Sequence, residues 1–81
     1  MTPYSVRLFA RYAELFGAEQ VEVMLPPKAC VADLLTALRS FPGGASLPAQ
    51  PFVAVNMAQA GLGTVLRPDD EVALLPPLAG G

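Results

Sequence analysis

The last six residues of the sequence have the types and spacing that best suit a chemical role. They are Pro76, Pro77, Leu78, Ala79, Gly80 and Gly81. The two prolines confine the chain to an extended form, and the two glycines carry no Cβ, so a narrow channel in another protein can admit the segment. A carboxylate joined to AMP becomes a mixed anhydride that sulfide, a thiol or an amine can attack. These residues therefore predict a narrow, extended C-terminal segment that brings the Gly81 carboxylate into a partner's active site. The alternative is a frayed terminus without a role.

Other residues with chemical potential are few. The sequence contains one cysteine and no histidine, which excludes a disulfide within the chain, a Ser-His or Cys-His dyad and a His-ligated zinc site. Cys30 is expected to be a small buried thiol, and a nucleophile is the alternative. The acidic run at residues 69–71 lacks companion ligands for a metal ion. It is interpreted as a solvated turn, with a charged patch for a partner as the alternative.

Composition and charge limit the function classes further. Hydrophobic residues make up 53% of the chain and charged residues 15%, which indicates a folded protein, and 81 residues make one domain. With five Lys and Arg residues and a net charge of −2, the chain offers a nucleic-acid backbone little to bind. No apolar run approaches the ~20 residues that span a bilayer, and the N-terminus does not resemble a signal peptide. We expect a small, soluble, cytoplasmic protein that binds neither nucleic acid nor membranes.

Local patterns predict the elements that would position the C-terminal segment. Alternating or densely apolar stretches predict strands at residues 5–10, 20–25, 52–55 and 71–75. Residues 11–16 hold good helix formers and stop at a glycine, which predicts a short helix. The clearest helix follows Cys30, its expected N-cap. Its apolar residues fall at i, i+3, i+4 and i+7, and they are Val31, Leu34, Leu35 and Leu38.

The order of these elements predicts an α+β fold, in which a mixed sheet of four to five strands packs on one main helix. We expect the first two strands to be antiparallel because they are close in sequence. The last strand should lie parallel to the first at the sheet centre, because both are apolar at nearly every position. This arrangement is the ubiquitin-like β-grasp, with a domain at residues 1–75 and a flexible tail at residues 76–81.

Alternation along the strands also predicts a docking surface. If Val72 and Leu74 point into the core, Ala73 and Leu75 point outward, and the same alternation turns Phe9 outward on the neighbouring strand. An exposed patch of Phe9, Ala73 and Leu75 beside the tail is expected to bind a partner. Coverage of this face by loops is the alternative.

The sequence resembles a known family, the small subunits of molybdopterin synthase (MoaD), which are ubiquitin-like sulfur carriers. The resemblance covers nearly the whole chain and rests on VRLFA at residues 6–10, ELFG at 14–17, VADLL at 31–35 and VAVN at 53–56. Its most specific part is the ending at residues 66–81, with the form Pro-Pro-x-x-Gly-Gly. Asp69 stands where the family often has glycine, and Leu74-Leu75 replace a pair of aromatic residues.

The resemblance implies a cycle of sulfur transfer. An E1-like adenylating enzyme would use ATP and Mg²⁺ to activate Gly81, and a sulfur donor such as a cysteine desulfurase or a rhodanese-like protein would convert it to a thiocarboxylate. The charged carrier would bind the large subunit of molybdopterin synthase in a heterotetramer, with residues 76–80 threading into that subunit's pocket. There the sulfur would attack cyclic pyranopterin monophosphate to form the dithiolene of molybdopterin. The resemblance further implies that the domain binds no cofactor or metal itself, and that the catalytic side chains belong to the large subunit.

Two alternatives to this role stay open. A carrier of the same chemistry could supply thiamine synthesis, tRNA thiolation or protein conjugation. A protein of a different class, a β-grasp binding module with an inert tail, would dock to partners without carrying sulfur.

Overall fold

A computed structural model describes residues 1–76 of the chain, and its elements follow the predicted order. Its five strands are β1 (Thr2–Leu8), β2 (Gln20–Leu25), β3 (Phe52–Val55), β4 (Ala58–Gln59) and β5 (Val72–Leu75). Its helices are α1 (Arg11–Phe16), α2 (Val31–Arg39) and one 3₁₀ turn (Gly44–Ser46). Within the described residues, no helix is both long and apolar enough to cross a membrane.

The strands form one mixed sheet in the order β2-β1-β5-β3-β4. Strand β1 pairs antiparallel with β2 and parallel with β5, and β3 pairs antiparallel with both β5 and β4. This confirms the predicted β-grasp, a mixed sheet of four to five strands on one main helix, and the central position of β5. The reason given for that position was wrong, because burial alternates along both β1 and β5. The sheet buries one face against the helix and leaves the other face open.

Helix α2 covers the buried face of the sheet. Its four predicted core residues are all buried, and they join one cluster with the inward side chains of the sheet. Tyr4, Val6 and Leu8 contribute to this cluster from β1, and Val72 and Leu74 from β5. Burial of each such leucine or valine side chain stabilises the fold by roughly 1.5–3 kcal/mol, so this stripe fixes which face of the sheet is inward.

The bounds of two strands differ from the prediction. Strand β1 starts at Thr2 and ends at Leu8, whereas residues 5–10 were expected. It ends early because Ala10 has a φ of 51°, which turns the chain into α1. Strand β5 begins one residue later than expected, at Val72, because the preceding residues form a turn.

Strand β4 was not predicted. It follows a two-residue turn at Asn56 and Met57, and Val55 pairs with Ala58 across it. Such a turn is usually recognised by Asn-Gly, and here methionine takes the glycine position. Of the predicted tail at residues 76–81, Pro76 directly follows β5, and residues 77–81 lie outside the described residues. The division into domain and tail stays a prediction.

Candidate functional site

The last strand leads the chain out of the sheet between two aromatic residues. Leu75 ends β5 and is paired with Phe52 of β3 on one side. On the other side, the N–H of Phe9 donates a hydrogen bond of 3.3 Å to the carbonyl oxygen of Leu74. The half-buried Pro76 comes next. The C-terminal segment therefore starts at the point where Phe9 and Phe52 flank the central strand.

This point carries an exposed apolar surface on the open face of the sheet. Phe9 is 41% exposed and Phe52 is 42% exposed, while Ala73 and Leu75 are half-buried. Phe52 lies directly opposite Leu75 in the strand register, so both side chains project from the same face. A depression of about 380 Å³ lies on this face, and its lining includes Phe9, Met57, Ala73 and Leu75. We call Phe9, Phe52, Met57, Ala73 and Leu75 the exit surface.

The three residues predicted for partner binding lie together on this surface. The outward orientation of Ala73 and Leu75 follows from the complete burial of Val72 and Leu74, as alternation predicted. Phe9 lies just beyond the end of β1 and lines the same depression. The part that these residues play in binding stays a prediction. The predicted tail residues Pro77, Leu78, Ala79, Gly80 and Gly81 lie outside the described residues, and their roles likewise stay predictions.

Charged groups border the exit surface. The Arg7 guanidinium carbon lies 5.8 Å from the centre of the Phe9 ring, within the range of a cation–π contact. Glu71, the residue just before β5, also lines the depression. A second depression continues along this face and is lined by polar residues such as Ser5, Gln20 and Asp69. The open face is therefore apolar near the tail and polar farther from it.

In the acidic run at residues 69–71, the side chain of Asp70 makes hydrogen bonds to other residues. Its Oδ2 accepts a hydrogen bond of 2.8 Å from the N–H of Arg67, and its Oδ1 accepts one of 2.9 Å from Nδ2 of Asn56. The Arg67 N–H, followed by the Asn56 amide, lowers the pKa of the Asp70 carboxyl below its usual value. No group of three possible metal ligands occurs among residues 1–76. The run is a turn, as interpreted, and Asp70 closes it.

Cys30 occupies the predicted N-cap of α2, but its thiol is half-buried, not fully buried as expected. Oδ2 of Asp33 accepts a hydrogen bond from the Cys30 N–H at 3.0 Å and one from its Sγ at 3.3 Å. These bonds, the backbone one first, lower the pKa of the Asp33 carboxyl. The thiol therefore helps to begin the helix through its contact with Asp33.

The first turn of α2 is closed by the loop before β5. The N–H of Val31 donates to the carbonyl oxygen of Thr64 at 2.9 Å, and the N–H of Ala32 donates to that of Leu62 at 3.0 Å. These are two of the N–H groups that a helix start leaves without a partner inside the helix. The loop thus satisfies them.

Sequence reasoning missed Phe52 and Met57 as members of the exit surface. Both are large, exposed apolar side chains near the central strand, and that position is what would have identified them. The sequence does not show it directly, because the register of β3 against β5 and the β3–β4 turn arise only in the folded sheet.

Comparison with known proteins identifies the family. The sequence pattern of the ThiS family matches residues 6–81. The human molybdopterin synthase sulfur carrier subunit is 32% identical over 80 residues, which cover 94% of this chain and 91% of that protein. The crystal structure of SAMP1 from Haloferax volcanii is 32% identical, has a TM-score of 0.81, and matches 98% of this chain and 99% of its own.

A third likeness concerns the fold alone. A chain of the protein–protein complex of subunits 1 and 2 of molybdopterin-converting factor from Helicobacter pylori 26695 has a TM-score of 0.70 and 23% identity. The match covers 99% of this chain and 100% of that one. The strand order, the single covering helix and the family match agree. The chain belongs to the ThiS family and is a MoaD-like protein with the ubiquitin-like β-grasp fold.

Proposed function

We propose that this chain is the sulfur carrier subunit of molybdopterin synthase. One structural observation carries the proposal: the central strand delivers the C-terminal segment at the exit surface, between Phe9 and Phe52. A partner that docks there also receives the tail. The 32% identity with the human sulfur carrier subunit over nearly the whole chain supports this choice among ThiS-family functions.

The proposed chemistry takes place at the carboxyl group of Gly81. An E1-like adenylating enzyme joins this carboxylate to the AMP part of ATP, with Mg²⁺, and releases pyrophosphate. A sulfur donor, such as a cysteine desulfurase or a rhodanese-like protein, then supplies a persulfide whose terminal sulfur displaces AMP. A thiol then reduces the S–S bond of the resulting acyl disulfide, which leaves a thiocarboxylate on Gly81 and a disulfide on the donor side. The thiocarboxylate sulfur is ionised near neutral pH and is a strong, soft nucleophile. Because this activation consumes ATP, we propose a cytoplasmic location.

The large subunit of molybdopterin synthase is the proposed acceptor of the charged carrier. We propose a heterotetramer with two copies of each subunit, in which residues 76–80 thread the tail into the large subunit. The thiocarboxylate sulfur attacks cyclic pyranopterin monophosphate, and water then hydrolyses the resulting thioester, which leaves the sulfur on the pterin and returns Gly81 as a carboxylate. Two charged carriers supply the two sulfurs of one dithiolene. In this assignment the chain supplies the sulfur and the docking surface, the large subunit supplies the catalytic side chains, and the ATP and Mg²⁺ belong to the activating enzyme.

Protein conjugation is a second candidate function. It is favoured by the 32% identity with SAMP1, since a related structure from the same organism is described as small archaeal modifier protein 1. Conjugation would use the same activated Gly81, with an amine in place of the persulfide as the attacking group. Carriers for thiamine synthesis or tRNA thiolation would share the thiocarboxylate. A binding module with an inert tail would need neither form of Gly81.

Intact mass and reconstituted synthesis test the proposal together. Protein from its native host should include a species in which sulfur replaces one oxygen at Gly81. That species should form molybdopterin with the purified large subunit and cyclic pyranopterin monophosphate. A variant without Gly81 should still bind the large subunit but transfer no sulfur, and Gly61→Ala, far from the tail in sequence, should transfer normally.

The outcomes separate the candidates. Normal molybdopterin formation by the variant without Gly81 would contradict the proposal. A C-terminus joined to lysine amines of other proteins, with no sulfur-containing species, would favour conjugation. A sulfur-containing species that is inactive with the large subunit would favour one of the other sulfur pathways.

A further inference from the structure

The turn between β3 and β4 places a methionine in a backbone conformation that favours glycine. Asn56 and Met57 form its two central positions, with φ values of 52° and 69°. This pattern of two positive φ values is typical of a type I′ hairpin turn, in which Asn-Gly is preferred. Asn56 fits the preference, whereas Met57 carries a Cβ where glycine would be less strained.

The Met57 side chain contributes little to the interior of the fold. It is 90% exposed. It nevertheless lines the depression that Phe9 and Leu75 also line. At Met57, a strained backbone is thus combined with a large, exposed apolar side chain that belongs to the exit surface.

The position of Met57 is fixed by its neighbour. The N–H of Asn56 donates to the carbonyl oxygen of Glu71 at 2.8 Å, and Oδ1 of Asn56 accepts a hydrogen bond of 2.9 Å from the N–H of Glu71. Nδ2 of Asn56 donates to Asp70 at 2.9 Å. These three bonds tie the turn to the start of β5, so the backbone that carries Met57 is held in place before any partner arrives. Such preorganisation lowers the entropy cost of binding.

We propose that Met57 is an anchor residue of the exit surface, and that its side chain enters an apolar pocket of the large subunit when the carrier docks. The proposal rests on the proposed function, because it takes the large subunit as the occupant. One feature supports this occupant: the depression that Met57 lines extends along β5 to Leu75, where the strand ends and the chain leaves toward the tail, so a partner that receives the tail and covers this depression also contacts Met57. A flexible thioether suits such a contact, since it adapts to an irregular pocket.

Replacement of Met57 by glycine separates binding from stability. Met57→Gly should raise the midpoint of thermal unfolding, because glycine relieves the turn, and should weaken binding of the purified large subunit about tenfold. Met57→Leu keeps an apolar side chain and should bind within about threefold of the wild type.

Met24 provides a matched control: it is an exposed methionine, 48% exposed, on β2. Met24→Ala should leave the dissociation constant unchanged, and calorimetric titration measures each value.

Two results would overturn the proposal. One is wild-type affinity in Met57→Gly. The other is a fall in thermal stability in Met57→Gly, which would make the residue structural. Leu75→Asp distinguishes this failure from that of the proposed function. If Leu75→Asp weakens binding and Met57→Gly does not, the assignment of Met57 is wrong while the docking surface stands. If neither variant weakens binding, the exit surface is not where the large subunit docks.

Discussion

The side-chain amide of Asn56 donates a hydrogen bond of 2.9 Å to Oδ1 of Asp70. This bond joins the β3–β4 turn to the loop that leads into the central strand. The same carboxylate accepts the N–H of Arg67 through its other oxygen. One ionised side chain therefore holds together two loops that border the exit surface.

Stability should fall in acid as Asp70 is protonated. The hydrogen bonds of the native state lower the pKa of the Asp70 carboxyl relative to the unfolded chain, where it is about 3.9. The carboxylate therefore contributes its full stabilisation above roughly pH 4, and this contribution is lost as the pH falls through the lowered native pKa. Urea unfolding between pH 6 and pH 2 measures the dependence.

Asp70→Asn should flatten part of this acid dependence and lower the free energy of unfolding at pH 7 by about 1 kcal/mol. Asn56→Ala removes one of the two hydrogen-bond donors to the Asp70 carboxylate, so it should reduce the acid dependence of stability by less than Asp70→Asn does. The pKa of Asp33 is also lowered, so some acid dependence should remain in both variants. An acid profile of Asp70→Asn that matches the wild type would show that the carboxylate does not hold the loops together.

Gly43 should tolerate no side chain. Its φ is 87°, and a Cβ at this position would overlap the carbonyl oxygen of Leu15 in α1. Gly43→Ala should therefore lower the free energy of unfolding by about 2 kcal/mol or more. In Gly61→Ala, the added Cβ meets nothing within 4 Å in the described part of the chain, and the change should stay within about 0.5 kcal/mol. Equal urea midpoints for the two variants would contradict the close packing of Gly43 on α1.

Replacement of Ala10 by glycine should stabilise the fold. It joins β1 to α1 with φ 51° and ψ −127°, a conformation that costs a residue with a Cβ about 1–3 kcal/mol. Ala10→Gly should raise the free energy of unfolding by about 1 kcal/mol, once the greater freedom of glycine in the unfolded chain is counted. Ala45→Gly, at a position without a positive φ, should instead be neutral or destabilising. Loss of stability in Ala10→Gly, measured by urea unfolding, would show that this turn is not strained.

A charge at Leu75 should impair docking and leave the fold intact. Leu75 is half-buried on the exit surface at the end of β5, so Leu75→Asp places a carboxylate near Phe9, Phe52 and Ala73. We expect at least tenfold weaker binding of the large subunit, because an unpaired charge resists burial in an interface. Met24→Asp adds the same charge on β2, where Met24 pairs with Pro3, and should bind normally. Wild-type affinity in Leu75→Asp, measured by calorimetry, would contradict the predicted docking surface.

Most of the elements could be predicted from local sequence patterns. The bounds of α1 and β2 match the prediction at both ends, and the apolar stripe of α2 is the buried one. These elements are set by side-chain periodicity and by residues such as Gly17, which lies just past α1 with a φ of 70°. The predictions failed at Ala10 and Met57, where residues that normally avoid positive φ adopt it because neighbouring strands require the turn.

The candidate site also has a part that the sequence could predict and a part that it could not. The Pro-Pro-x-x-Gly-Gly ending and the outward positions of Ala73 and Leu75 could be read from the chain, because they depend on residue type and on alternation within one strand. The presence of Phe52 and Met57 beside them could not be read, because it depends on the antiparallel register of β3 with β5 and on the turn tied down by Asn56. Local sequence thus determined which residues could face outward. Pairing between strands far apart in sequence decided which of those residues share the open face around β5, with Phe52 at the end where the C-terminal segment begins and Met57 at the other end.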